Sequence, residues 1–78
     1  MKLTISKIDK VLFSGEAASV TVPGASGEMT ILAHHMPVIT TLVAGKITVK
    51  HGEGESNEEF MIDSGFLEVG KDETVILV

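Results

Sequence analysis

The sequence predicts an all-β fold, a sandwich of two packed antiparallel sheets with no substantial helix. Three observations predict it. Apolar residues alternate with polar ones at period two along most of the chain, the signature of half-buried strands. Turn signals recur every roughly eight to twelve residues, the spacing of sandwiches and barrels. No ten-residue segment sustains apolar residues at i, i+3 and i+4.

Taken in order, Leu3 and Ile5 mark a first strand, with Ser14-Gly15 as the first turn signal. Val20 and Val22 lead into the turn 23–27, opened by Pro23-Gly24, and Met29 and Ile31 continue beyond it. Residues 34–43 are ambiguous between helix and strand. Pro37 bars Met36 from the helical region, so this run reads as a rigid loop entering a strand. Ala44-Gly45 punctuates the chain before Ile47 and Val49, and residues 52–57 form an acidic turn. Phe60 and Ile62 precede Ser64-Gly65, and the turn 70–72 leads into TVILV, where Val75 and Leu77 continue the alternation. That last run is apolar on both faces, which predicts a centrally paired strand whose outer side something covers.

Composition narrows the function. Seventy-eight residues make one domain, and so short a chain buries only about 60% of its unfolded surface, so a partner surface would help it. With three Phe, no Trp and no Tyr, the core is expected to be aliphatic. Cysteine is absent, which removes disulfides, thiolate metal sites and thiol nucleophiles. The N-terminus has no apolar h-region, and no run approaches the ~18 residues that cross a bilayer, so a soluble intracellular domain is expected. Residues 1–52 hold five Lys and three acids, and residues 53–78 one Lys and eight acids. Six Lys without Arg cannot build the basic stripe that nucleic acid requires, so no nucleic-acid partner is expected.

Several constellations could carry chemistry. GASGEMT at 24–30 looks like a phosphate loop but lacks a following GKS or GKT, and Glu28 stands where the lysine belongs, so it reads as a tight turn. His34 and His35 are adjacent and on an extended chain point to opposite sides, which argues against a shared metal. Glu58 and Glu59 alternate sides of a strand, and Asp72 and Glu73 lie at a turn, so neither pair converges for acid-base work. No serine sits in a nucleophile elbow. These residues describe a non-catalytic interaction domain with no metal, no cofactor and no small-molecule ligand.

FSG at 13–15, VTVPGASGEMTIL, HxPxxTxLxxGxI from His35 to Ile47, EEFMIDSGFLEV at 58–69 and the final TVILV together resemble the N-terminal β-sandwich of the ATP synthase epsilon subunit, over essentially the whole chain. The resemblance implies one domain over 1–78, built of two roughly five-stranded sheets. It also implies a non-catalytic rotor component of the central stalk that clamps the gamma shaft and seats it on the c ring, coupling proton or sodium transport to ATP synthesis. Residue by residue, Ala25, Ser26, Glu28 and His35 match the c-ring side, and Lys7, His35 and Thr40 the gamma side. The implied location is peripheral, through the complex alone, on the cytoplasmic side of the bacterial inner membrane, with the plastid thylakoid as alternative. Family members usually continue into a helical hairpin where this sequence stops at Val78, so neither hairpin-mediated inhibition nor nucleotide sensing is expected.

Two other readings stay open on sequence. A biotinyl or lipoyl carrier domain would display a modified Lys46 or Lys71 at a hairpin tip, although neither has the flanks of such a site. A ligand-binding sandwich for sugars would need exposed Trp or Tyr, and peptide addition to an open sheet edge needs neither.

Overall fold

The computed structural model describes residues 1–34, 36–52 and 54–78. Nine strands follow one another: β1 (Lys2–Lys7), β2 (Lys10–Glu16), β3 (Ser19–Gly24), β4 (Gly27–Leu32), β5 (Val38–Leu42), β6 (Gly45–Lys50), β7 (Glu58–Ile62), β8 (Gly65–Val69) and β9 (Glu73–Leu77). They hydrogen-bond in the order β2-β1-β9-β8-β5-β3-β6-β7, with β4 on the other edge of β3. The five strands β2-β1-β9-β8-β5 form one half of the sandwich, and β4-β3-β6-β7 the other. The halves join where β5 meets β3 at the single register pair Gly24↔Leu42. Backbone bonds flank that pair, from Ala25 N–H to Thr41 O and from Val43 N–H to Pro23 O, each 2.9 Å. Beyond the bend at Val43 and Ala44 the chain becomes β6 and pairs with the opposite end of β3, a strand changing sheets at a corner.

The all-β sandwich expected from sequence is thus observed. One pairing is parallel: β1 lies beside β9 from Lys2↔Glu73 to Ser6↔Leu77. The last strand is central, between β1 and β8, as TVILV predicted. Within the ambiguous run, His34 belongs to a turn and Val38–Leu42 form the strand β5. Ser14 and Gly15 do not turn; they lie inside β2, opposite Thr4 and Leu3. The first reversal comes earlier, at Ile8 and Asp9, between the register partners Lys7 and Lys10.

Alternation puts an aliphatic side of most strands inside. Leu3, Ile5, Val20, Val22, Ile31, Leu42, Ile47, Val49, Leu67 and Ile76 are fully buried. Phe13 and Phe60 pack on this cluster at its margin. Branched side chains suit the interior because their restricted rotamers match the pleated strand. The buried Thr74 hydroxyl is satisfied by the Met1 sulfur at 3.7 Å. The Met1 ammonium donates to Ala17 O at 2.7 Å and lies 3.3 Å from Glu16, tying the start of the chain to the end of β2.

Gly65 is required by close approach. A Cβ there would stand 2.5 Å from Leu77 O and 3.2 Å from Val78 Cγ1. Gly65→Ala forces β8 away from β9, and overpacking of this kind destabilises by about 1–3 kcal/mol. Chemical denaturation should show that loss with the fold retained.

His51, just past β6, closes the base of the β6–β7 loop. Its Nε2 lies 2.6 Å from Glu58 Oε2, and its ring sits tilted against Phe13 of β2 at 5.6 Å. The Glu58 hydrogen bond raises the imidazole pKa above its ordinary 6.5, with smaller contributions from the Glu16 backbone and the charges of Glu58 and Glu55, against partial desolvation. A raised folded pKa means the stabilisation is complete below pH 6.5 and is lost as pH rises through the folded value. The pair is partly solvated, so the effect is small. Thermal unfolding between pH 6 and 9 should therefore show a modest fall in Tm that His51→Gln abolishes.

Candidate docking surface

Ala25 and Ser26 form the tip of the β3–β4 hairpin, closed by the pair Gly24↔Gly27. Gly27 has φ 132° with open space around its α-carbon, a backbone geometry that favours glycine. Gly24 has no room for a side chain, since a Cβ would lie 2.7 Å from Gly27 O. Glu28 follows, opposite Pro23, and Ala25, Ser26 and Glu28 are all exposed. The structure thus brings these three together on a narrow tip. The GASGEMT run makes the tight turn expected from sequence at 24–27 and continues as β4.

Lys7 is exposed at the end of β1. Thr40 is half-buried in β5, on the core-facing side with Val38 and Leu42 and in register with the buried Leu67. Strands β9 and β8 lie between β1 and β5, so Lys7 and Thr40 stand three strand spacings apart, roughly 14 Å along the sheet. Thr40 instead neighbours the hairpin tip, through the Ala25–Thr41 backbone bond. His35 lies outside the described residues. Its predecessors Ala33 and His34 stand past the far end of β4 from the tip, beside the β8–β9 turn. His34 has φ 66°, so the chain is not extended there, as the opposed-histidine argument assumed. Among the described residues no group of three metal-ligating side chains converges.

Sequence reasoning left one surface without residue assignments. Register arithmetic lines up the outward side chains of the five-stranded half in rows. One row runs Val11, Ser6, Leu77, Phe66, Thr41, and the next Ser14, Thr4, Val75, Glu68, Ile39. Ile39 is 72%, Val11 59%, Phe66 58% and Leu77 53% exposed, with Val75 half-buried among them. Glu68, with Ile39 and Val75 as its register neighbours, is the one carboxylate in these two rows. The signal in the sequence was the two-faced apolarity of TVILV, and the cover it predicted is not supplied by any described element of the chain.

The carrier reading loses its first lysine, because Lys46 lies in β6, not at a tip, with its ammonium 3.2 Å from Glu59. Lys71 is an exposed residue of the β8–β9 turn. No helix among the described residues is long and apolar enough to cross a membrane.

Comparison with known proteins agrees with this architecture. The family described as ATP synthase, Delta/Epsilon chain, beta-sandwich domain matches residues 1–78. Relatives named ATP synthase epsilon chain include that of Caulobacter vibrioides, 45% identical over 69 residues, which are 88% of this chain and 78% of that protein. That of Mesorhizobium japonicum is 40% identical over 68 residues, 87% of this chain and 50% of the relative. The chain spans about half the length of several such relatives. A chain of the Euglena gracilis mitochondrial ATP synthase, in a structure of OSCP, F1 and c-ring, has the same fold with TM-score 0.87 and 28% identity, over 97% of this chain and 48% of that one. A chain from the Tetrahymena thermophila mitochondrial ATP synthase central stalk and c-ring, at 16% identity and TM-score 0.83 over 99% of this chain and 61% of its own, supports the fold alone. Matched from its first residue to its last, the chain belongs to the ATP synthase delta/epsilon chain family, whose β-sandwich domain it carries.

Proposed function

We propose that this domain is a non-catalytic element of the central stalk of an F-type ATP synthase, holding the gamma shaft on one surface and meeting the c-ring loops with another. The observation that carries the proposal is the outer face of the five-stranded half. Ile39, Phe66 and Leu77 hold large apolar areas in solvent, an arrangement found at protein interaction surfaces. Family membership and likeness to a chain of an F1 and c-ring assembly make the stalk subunits the partners of choice.

The two contacts ask different things of the surface. A joint that carries torque needs a contact that does not bend, and the β3–β4 tip answers this through Pro23 and the tight Gly24↔Gly27 closure. We assign Ala25, Ser26 and Glu28 to the c-ring side. Glu28 is exposed, so an ion pair there contributes only ~0–1 kcal/mol and serves orientation more than affinity. Lys7, Thr40 and His35 are assigned to the gamma side by resemblance, with the outer apolar face supplying most of the affinity. The same resemblance assigns His35 to the c-ring side as well, and that residue lies outside the described ones. In the cell the domain then sits on the F1 side of the coupling membrane, through its partners alone.

Calorimetry and size exclusion with purified gamma from the same organism test this reading. Wild type should bind one to one. Phe66→Asp should weaken binding by ~10-fold or more. Thr41→Arg, whose side chain points outward where that of Thr40 does not, should also weaken it, while Glu28→Lys should leave gamma binding intact and impair assembly on the c ring. Absence of gamma binding by the wild type would refute the proposal.

A further inference from the structure

The hydrogen-bonded path of strands has two ends, β2 and β7. The sandwich brings these ends together, yet among the described residues no backbone hydrogen bond joins them. They meet along a seam. At one end of it a groove of about 360 Å³ separates the β1–β2 turn from the end of β7, with Ile8, Asp9, Met61 and Ile62 in its walls. At the other end the seam is bridged by His51. Its Nε2 lies 2.6 Å from Glu58 Oε2 at the start of β7, and its ring stands 5.6 Å from that of Phe13 in β2, tilted by 48°. The Glu16 backbone, at the end of β2, is a further acceptor for the same ring. One side chain thus reaches both of the strands that the backbone leaves unjoined.

The other ion pairs within the sheet do something different. Lys2 with Glu73 and Lys46 with Glu59 link strands that already share a ladder. His51 links the β6–β7 hairpin to a strand with which it shares none, and its contacts depend on its protons. A neutral imidazole has one N–H to divide between β7 and β2, whereas the imidazolium has one for each. The charges that act on the ring, those of Glu58 and Glu55, are both negative. The Glu16 carboxylate is engaged elsewhere, 3.3 Å from the Met1 ammonium. The His51 side chain is 25% and that of Glu58 48% exposed, so the pair exchanges protons with solvent.

We propose that His51 is a proton-operated latch on this seam: as imidazolium it holds the β6–β7 hairpin against β2 through Glu58, Glu16 and Phe13, and on losing its proton it lets the two edges part. Parting uncovers Phe13 and two rows of unpaired backbone groups, the kind of edge that other strands pair with. The device belongs to the fold alone and is independent of the stalk reading.

Nuclear magnetic resonance of this chain by itself tests the latch. In wild type a nuclear Overhauser effect between the His51 and Phe13 rings should be present at pH 6. By pH 9 it should weaken by roughly two-fold or more, the scale set by an exposed pair, and the loss should follow the titration of the His51 ring protons. Glu58→Gln should move that titration to lower pH and the loosening with it. In His51→Gln the Phe13 resonances should not change over this range. An inter-ring effect absent at pH 6, or as strong at pH 9 as at pH 6, refutes the latch, as does a pH response of Phe13 that persists in His51→Gln. Neither gamma nor the c ring enters the experiment, so its failure leaves the stalk assignment untouched.

Discussion

The fold depends on β9 entering between β1 and β8. Without it the hairpin β1–β2 has no ladder to the rest of the sheet, because the order β2-β1-β9-β8 offers no other neighbour. The inserted strand must satisfy both sides at once, donating its edges to a parallel partner and an antiparallel one. It also sends Thr74 and Ile76 into the core and Val75 and Leu77 to the outer face. The tolerance is small: Gly65 stands opposite its end because any β-carbon there would collide with the Leu77 carbonyl. Pairing the first strand with the last is also a contact of maximal sequence separation, a feature that slows folding.

Strand content was readable because burial here follows parity. Leu3 and Ile5, Val20 and Val22, Ile47 and Val49 face inward as their alternation foretold, whereas in β9 the buried pair is Thr74 and Ile76 and not Val75 and Leu77, because a strand apolar on both faces leaves its parity undecided. The parallel ladder was not readable, since no local turn announces a pairing between the two ends of a chain. Ser14-Gly15 misled because turn propensity is a local tendency, and pairing with Thr4 and Leu3 in an edge hairpin overrides it. The true reversal escaped because Ile8 is an unlikely turn residue. For the site, parity alone could have turned Thr40 inward with Val38 and Leu42, and the resemblance did not consult it. That Ala25, Ser26 and Glu28 share one tip followed from their closeness in sequence. That the tip touches Thr41 required the sheet-changing corner to be seen.

The exposed surfaces divide by chemistry as well as by place. The outer face of the five-stranded half carries Ile39, Phe66, Val75 and Leu77 around Glu68, suited to burial of area. The β3–β4 tip is small and polar, suited to orientation. The β1–β2 turn projects the exposed Ile8 beside Asp9, between Lys7 and Lys10. Three surfaces so different in kind give a small body distinct ways to hold different neighbours, and aliphatic packing without buried aromatics leaves the framework beneath them uniform.

The parallel ladder has a mechanical consequence. Tension applied between the beginning of β1 and the end of β9 pulls the two strands past each other lengthwise, so the ladder from Lys2↔Glu73 to Ser6↔Leu77 is loaded in shear and its rungs share the force. A hairpin pulled apart at its open end, as β3–β4 would be, yields one rung at a time. The terminal strands therefore form a strap across the body, strongest along the line joining its two ends.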